Sequence, residues 1–168
     1  NNTQKTTFAR VTTNINNDVK QVACGTNSTF ILKNDGSLWS CGANGNGQLG
    51  LGASDTNVHG TFTQVTKNIS NDVKQIACGQ NHTFILKNDG TVYSCGYNYY
   101  GQLGLNNTTN NTTFAKVTTN ISNVKQISCG DDFASILKND GSLWSCGNNN
   151  YGQLGNGTTT LSTEFVQV

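Results

Sequence analysis

Proline and methionine are both absent from these 168 residues, and charge is scarce. Lys, Arg, Asp and Glu supply only 11% of the chain, where about 25% is usual. The formal net charge is +1, so the chain as a whole offers no electrostatic footprint for a phosphate backbone or an anionic lipid surface. Nucleic acid is therefore not an expected partner. No apolar run approaches the ~18 residues of a membrane span, and no signal-peptide pattern stands at the start, so membrane insertion is not expected. The first residue is Asn rather than Met, as expected of a processed or excised piece. Cys-x-x-Cys does not occur, and His59 and His82 are the only histidines, which argues against a metal site. Asp131 and Asp132 form the only carboxylate pair outside the Asn-Asp-Gly turns. With no His or second carboxylate cluster to complete a constellation, no catalytic residue and no cofactor site is expected. An enzyme is excluded on this reading.

What is present is Asn, Thr, Ser and 19 Gly, the material of turns and short loops. Short apolar runs return at regular intervals, which disordered chains do not show. Val19-Lys20-Gln21-Val22-Ala23-Cys24-Gly25 recurs beginning at Val73 and again at Val124. Gly47-Gln48-Leu49-Gly50 recurs at Gly101 and Gly152, and Lys-Asn-Asp-Gly ends at Gly36, Gly90 and Gly141. The chain is three copies of one unit.

Each unit reads as strands. Ser28 to Lys33 and Ser37 to Cys41 flank Asn34-Asp35-Gly36, where Asn and Gly tolerate the positive φ of a tight hairpin. Folding there brings Ile31 to Trp39 and Leu32 to Leu38. Adjacent strand residues point to opposite faces, so the hairpin is apolar on both and must be covered on both. A ring or stack of blades supplies that cover. A fourth strand is expected at Phe62–Val65, Phe114–Val117 and Phe165–Val168, with a surplus copy at Phe8–Val11. The expected fold class is all-β: tandem four-stranded antiparallel blades, three repeats of a β-propeller or propeller-like array. Residues 1–18 would hold the surplus strand and linker of a preceding blade. Residues 19–65, 66–117 and 118–168 would be repeats 1, 2 and 3.

The order V-x-Q-[IV]-x-C-G, L-K-N-D-G-[ST]-[LV]-[WY]-S-C-G and N-x-x-[GY]-G-Q-L-G resembles the repeat of the regulator of chromosome condensation family over essentially the whole chain. The resemblance implies a seven-bladed propeller, which three blades cannot close, so either a fragment or a shared assembly is expected. Cys41, Cys95 and Cys146 stand where the family often has an aromatic residue, and Phe8, Phe62 and Phe114 where it commonly has Pro. Ultraviolet-sensing members carry Trp just after the first Cys-Gly. Thr26, Gln80 and Asp131 stand there in this sequence, so that photochemistry is not implied.

Cys24 and Cys41, and their equivalents, fall on the first and third strands with residues 28–29 between them. Two strand spacings are about 9.6 Å, beyond the ~7 Å within which a disulfide forms. Buried cysteines acting as small apolar residues are the expectation. Trp39, Tyr93 and Trp144 share one repeat position and are expected in the core. Tyr97, Tyr99, Tyr100 and Tyr151 precede Gly-Gln-Leu-Gly in copies two and three, and suit either a recognition surface or loop packing. Asn106, Asn107, Asn110 and Asn111 begin clustered glycosylation sequons, either accidents of Asn and Thr richness or marks of an extracellular glycoprotein. Phe8, Val11, Phe165 and Val168 are expected at an interface between end faces, with further copies of the repeat as protein partner. The leading expectation is a non-enzymatic module for protein interaction or structural assembly, possible as an extracellular or cell-surface array. The alternative is an intracellular, cytoplasmic regulator of the same family, such as a guanine-nucleotide exchange factor or effector.

Overall fold

The computed structural model describes Thr7, residues 10–52 and residues 55–168. Twelve strands build three blades. Blade 1 holds β1 (Val19–Cys24), β2 (Ser28–Lys33), β3 (Leu38–Gly42) and β4 (His59–Gln64). Blade 2 holds β5 (Val73–Cys78), β6 (His82–Lys87), β7 (Val92–Gly96) and β8 (Asn111–Lys116). Blade 3 holds β9 (Val124–Cys129), β10 (Phe133–Lys138), β11 (Leu143–Gly147) and β12 (Ser162–Gln167). Each blade is a separate antiparallel sheet in chain order. The first strands β1, β5 and β9 lie beside one another, so they form the inner edge and β4, β8 and β12 the outer.

The hairpin register is the one the turn chemistry predicts: Ile31 pairs with Trp39 and Leu32 with Leu38. Gly36 takes φ +81°, and the Asp35 carboxylate accepts the Ser37 N–H at 2.9 Å, pinning the turn. The outer strands begin three residues earlier than expected, at His59, Asn111 and Ser162. Of the expected surplus strand, Phe8 lies outside the described residues, and Arg10 and Val11 are in no strand.

The two-sided apolar pattern is resolved into two seams between blades. Phe30, Leu32 and Leu38 of blade 1 meet Ile76, Ile85, Cys95 and Phe114 of blade 2. Phe84, Leu86 and Val92 of blade 2 meet Ile127, Ile136, Cys146 and Phe165 of blade 3. The phenylalanines meet edge to face, Phe30 on Phe114 with centroids 6.5 Å apart and Phe84 on Phe165 at 6.0 Å. Burying one such ring contributes about 1.5–3 kcal/mol, and the aromatic pairing about 0.5–1.5 more. Phe165, expected at an outward interface, is thus closed inside the second seam.

Trp39, Tyr93 and Trp144 are half-buried, and Tyr93 and Trp144 pack against the edges of the two seam cores. Lys33, Lys87 and Lys138 each set an ammonium over the matching ring, at 4.6, 4.8 and 3.9 Å from its centroid. The indole N–H groups of Trp39 and Trp144 donate to Ser37 and Ser142, which holds these amphipathic rings at the edge of the seam.

In the register, Thr29 faces Cys24 on one side and Cys41 on the other, so a strand separates that pair, and all six thiols are free. Cys95 and Cys146 are the buried ones. Their thiols donate across the seams to the carbonyls of Gln48 and Gln102, at 3.5 and 3.7 Å. Burial pushes both thiols well above the usual range. Cys24 is exposed, and Cys41, Cys78 and Cys129 are partly buried, so the small-apolar description fits Cys95 and Cys146 alone fully.

Candidate functional site

Antiparallel order puts the connections β1–β2 and β3–β4 of every blade at one end, here the loop end. The Asn-Asp-Gly hairpins and the links to the next blade lie at the other, the hairpin end. One frame builds the loop end at each seam. A fully buried Asn starts it: Asn98 accepts the Leu103 N–H at 2.9 Å and donates to the carbonyls of Asn107 and Thr109. Asn44 and Asn149 do the same for their loops, accepting from Leu49 and Leu154. The Gln of Gly-Gln-Leu-Gly then clasps the next blade. Gln48 accepts the Asn46 N–H and donates to Asn81, while Gln102 accepts the Tyr100 N–H and donates to Asp132 at 3.2 Å.

What differs between the seams is the decoration. At the first, the clasp carries Ala43, Gly45 and Asn46 on one side and Gln80 and Asn81 on the other. At the second, Tyr97 and Tyr100 meet Asp132, directly or through Gln102, and Asp131 stands next to Asp132 in the same turn. Tyr97 and Tyr99 stack with rings 12° apart and centroids at 6.3 Å, and Tyr100 sets its edge to Tyr99 at 5.1 Å. Partial burial, and then the neighbouring Asp131, raise the Asp132 carboxyl above its usual range, against the Gln102 hydrogen bond. The Tyr97 hydroxyl is also raised, by desolvation first and then by Tyr100 and Asp132. Tyr151, on blade 3, stands 93% exposed. The structure therefore joins three of the four tyrosines singled out in the sequence into one cluster.

Positive charge is segregated along the blades. Lys20, Lys74 and Lys125 sit early in the inner strands, and Lys33, Lys87 and Lys138 end the second strands. Lys116 ends β8, Lys67 lies in the link to β5, and Arg10 bonds Asn17 just before β1. Among the described residues, every Lys and Arg is thus at the hairpin end. The loop end carries Asp55, Asp131 and Asp132, and among the described residues Asp55 is the one of the three that is ion-paired, to His59 at 2.9 Å.

The sequon asparagines serve the loop itself. Asn107 accepts the Thr109 N–H and donates to the Leu105 carbonyl, Asn110 accepts the Asn98 N–H, and Asn111 opens β8. Asn106 takes φ 57°. The buried Asn of each clasp and its Gln were not singled out in the sequence. Their signal was recurrence at a fixed phase in all three copies, which marks polar residues the frame depends on.

Comparison with known proteins bears on this frame. The repeat model of the regulator of chromosome condensation (RCC1) matches residues 19–48, 73–102 and 124–153, and a second model of the same repeat matches 35–86 and 89–137. The chain belongs to the RCC1-repeat family. X-linked retinitis pigmentosa GTPase regulator of Canis lupus familiaris is 37% identical over 142 residues, 83% of this chain and 14% of the relative. The ultraviolet-B receptor UVR8 of Arabidopsis thaliana is 34% identical over 83% of this chain and 31% of its own. Protein RCC2 of Homo sapiens is 37% identical over 79% and 25%. The chain spans less than a third of each. Yeast RCC1 (Prp20), solved with Kap60, superposes with a TM-score of 0.79 at 22% identity, over 90% of this chain and 37% of that one. Human WBSCR16 gives 0.79 at 26%, over 89% and 37%. The tandem blades are those of an RCC1-type β-propeller.

RCC1-repeat relatives are named for regulating a GTPase and chromosome condensation, both tasks performed inside the cell. This overturns the expectation of an extracellular or cell-surface place, and the cytoplasmic alternative is the one the relatives support. The glycoprotein reading of Asn106, Asn107, Asn110 and Asn111 loses its footing with it, since such sequons matter only in secreted chains.

Proposed function

We propose that this chain is the protein-binding part of an intracellular regulator, holding partners on the loop end of its blades. The observation that carries the reading is a constant frame with variable decoration: Asn and Gln clasps repeat at each seam while the side chains they present change. Rigid scaffolds that vary only their loops are how many folds diversify recognition. Solved yeast RCC1 has been characterised for its binding to Gsp1p and histones, and those partner classes define the test. Immobilised chain is exposed to purified small GTPases, GDP-loaded and nucleotide-free, and to core histones. Saturable binding to one class supports the reading, and preference for a nucleotide-free GTPase would mark an exchange factor. No saturable binding to any, with β-sheet circular dichroism intact, counts against it.

A second surface has its own observation. Val73 and Ile76 of blade 2 are 2% and 3% exposed, whereas the equivalent Val19 and Val22 of blade 1 are 40% and 61% exposed. On blade 3, Leu143 and Val168 are likewise exposed. There Ser135 replaces Phe30 and Phe84, beside an apolar hollow of about 210 Å³. Together these faces are the two halves of a seam. We propose that each takes a further repeat of the same kind, which for this chain alone in solution means a second copy, head to tail. Sedimentation velocity should show association rising with concentration and suppressed by Val22→Lys or Leu143→Lys. A monomer at every concentration argues against it. Val11 is also exposed, but nothing places it on either half-seam.

A further inference from the structure

Both seams are built by the same clasp, which makes the first a control for the second. Asn46, Gln48 and Asn81 make the hydrogen bonds that Tyr100, Gln102 and Asp132 make. Folding therefore needs neither the three aromatic rings nor the two carboxylates. Exposure agrees: Tyr99 is 64% exposed and Asp131 lies on the surface. Asp132 serves the clasp as Asn81 does, and its charge, the three rings and Asp131 are surplus to the scaffold.

Their chemistry has a common complement. A ring face carries negative charge density and attracts an ammonium or guanidinium within about 6 Å. Paired carboxylates attract the same groups, and a guanidinium meets a carboxylate with two parallel hydrogen bonds. Elsewhere in this chain the same combination already works internally: Lys33 and Lys87 each lie over an aromatic ring and pair with Asp18 and Asp72, at 3.2 and 3.3 Å. At the second seam the rings and carboxylates are present, but among the described residues no Lys or Arg of the chain lies at that end. A cation supplied from outside would also relieve the repulsion between Asp131 and Asp132.

We infer that Tyr97, Tyr99, Tyr100, Asp131 and Asp132 form a binding site for a cationic side chain, Arg or Lys, presented by a basic segment of a protein partner. The site rests on the loop-end reading proposed above and names the chemistry of what that end takes. The clasp of Gln102 sets the distance between the aromatic and acidic halves, because it joins the Tyr100 backbone to Asp132 directly. The first seam, with Ala43, Gly45 and Asn46 opposite Gln80 and Asn81, offers neither an aromatic cluster nor a carboxylate pair, and the nearby Asp55 is already paired with His59.

The test is an amide-resolved NMR titration of the 168-residue chain with a capped peptide of alternating Gly and Arg, and with its Glu counterpart. The expected result is saturable shifts confined to residues 97–102 and 131–132 with the Arg peptide alone, weakening as salt screens the carboxylates. Tyr99→Ala should weaken binding about fivefold, the loss of one exposed cation–ring contact. Asp131→Asn with Asp132→Asn should weaken it further. The fold should survive these changes, because Asn81 already fills the Asp132 role at the first seam. Equal shifts at both seams, equal response to the Glu peptide, unaltered binding by Tyr99→Ala, or no saturable shift each overturn the site. None of those outcomes touches the GTPase and histone experiment, which reads protein binding at the loop end irrespective of charge.

Discussion

Gly101→Ala is expected to destabilise the chain by about 3 kcal/mol, and the same change at Gly152 by only about 1. Both glycines open a Gly-Gln-Leu-Gly turn at nearly the same backbone angle, φ +77° and +74°. An alanine in that region costs about 1–2 kcal/mol wherever it sits. The difference lies across the seam. A Cβ on Gly101 would come within 2.6 Å of the Thr163 Cα of blade 3, whereas one on Gly152 would find nothing closer than 3.9 Å. Backbone cannot swing aside as a flexible side chain can, so Gly101→Ala must push β12 away from the loop between β7 and β8 and open the second seam. Blades in an array are coupled through nearest-neighbour interfaces. Beyond a lower urea midpoint, Gly101→Ala should therefore broaden the transition as blade 3 melts ahead of the others. Equal midpoints for the two variants would show that the blades do not pack as described.

That contrast also shows what was legible in the sequence and what was not. Asn34-Asp35-Gly36 fixes a hairpin by local chemistry alone, and the alternating apolar residues around it demand two covered faces, so the blades and their pairing follow. The outer strands were placed three residues late because His59-Gly60-Thr61, Asn111-Thr112-Thr113 and Ser162-Thr163-Glu164 are polar. Their place is set by pairing with β3, β7 and β11, where the register shifts before Gly42, Gly96 and Gly147. Periodicity does not record such shifts. Trp39 and its equivalents were placed in the core because an aromatic at a strand position ordinarily packs there. The lysine over each ring comes from the neighbouring strand and depends on the fold. Of the candidate site, the tyrosines were visible as a cluster in sequence. Their meeting with Asp132 was not, because it joins the loop after the third strand of one blade to the first turn of the next. The extracellular expectation failed for another reason: low charge and sequon density describe solubility and composition, and neither encodes an address.

Acid should weaken the second seam through His82, by about 3 kcal/mol between pH 6.5 and 4. His82 is 1% exposed, meets Phe84 edge to face at 5.9 Å, and its Nε2 has no hydrogen-bond partner among the described residues. Burial pushes its pKa down to about 4, partly offset by a hydrogen bond that the ring donates to the Phe133 backbone carbonyl. The folded chain therefore keeps the ring neutral at a pH where the unfolded chain, with an ordinary value near 6.5, takes up a proton. Above 6.5 neither state is protonated and stability is full. As pH falls from 6.5 the unfolded state gains, and the loss levels off near 4, where the folded state protonates too. Carboxylates lose their own contributions mainly below that range, since hydrogen bonds from Ser37, Thr91 and Ser142 hold Asp35, Asp89 and Asp140 below the usual value. His82→Phe separates the two effects. Blade 3 shows that the substitution fits, because Phe133 occupies the equivalent place and lies against Gly130 as His82 lies against Gly79. Urea midpoints measured at half-unit steps from pH 7 to 4 should fall more steeply for the wild-type chain than for His82→Phe, with the gap opening from pH 6.5 downward. Parallel curves would mean that the imidazole takes up its proton in the fold as readily as in the unfolded chain.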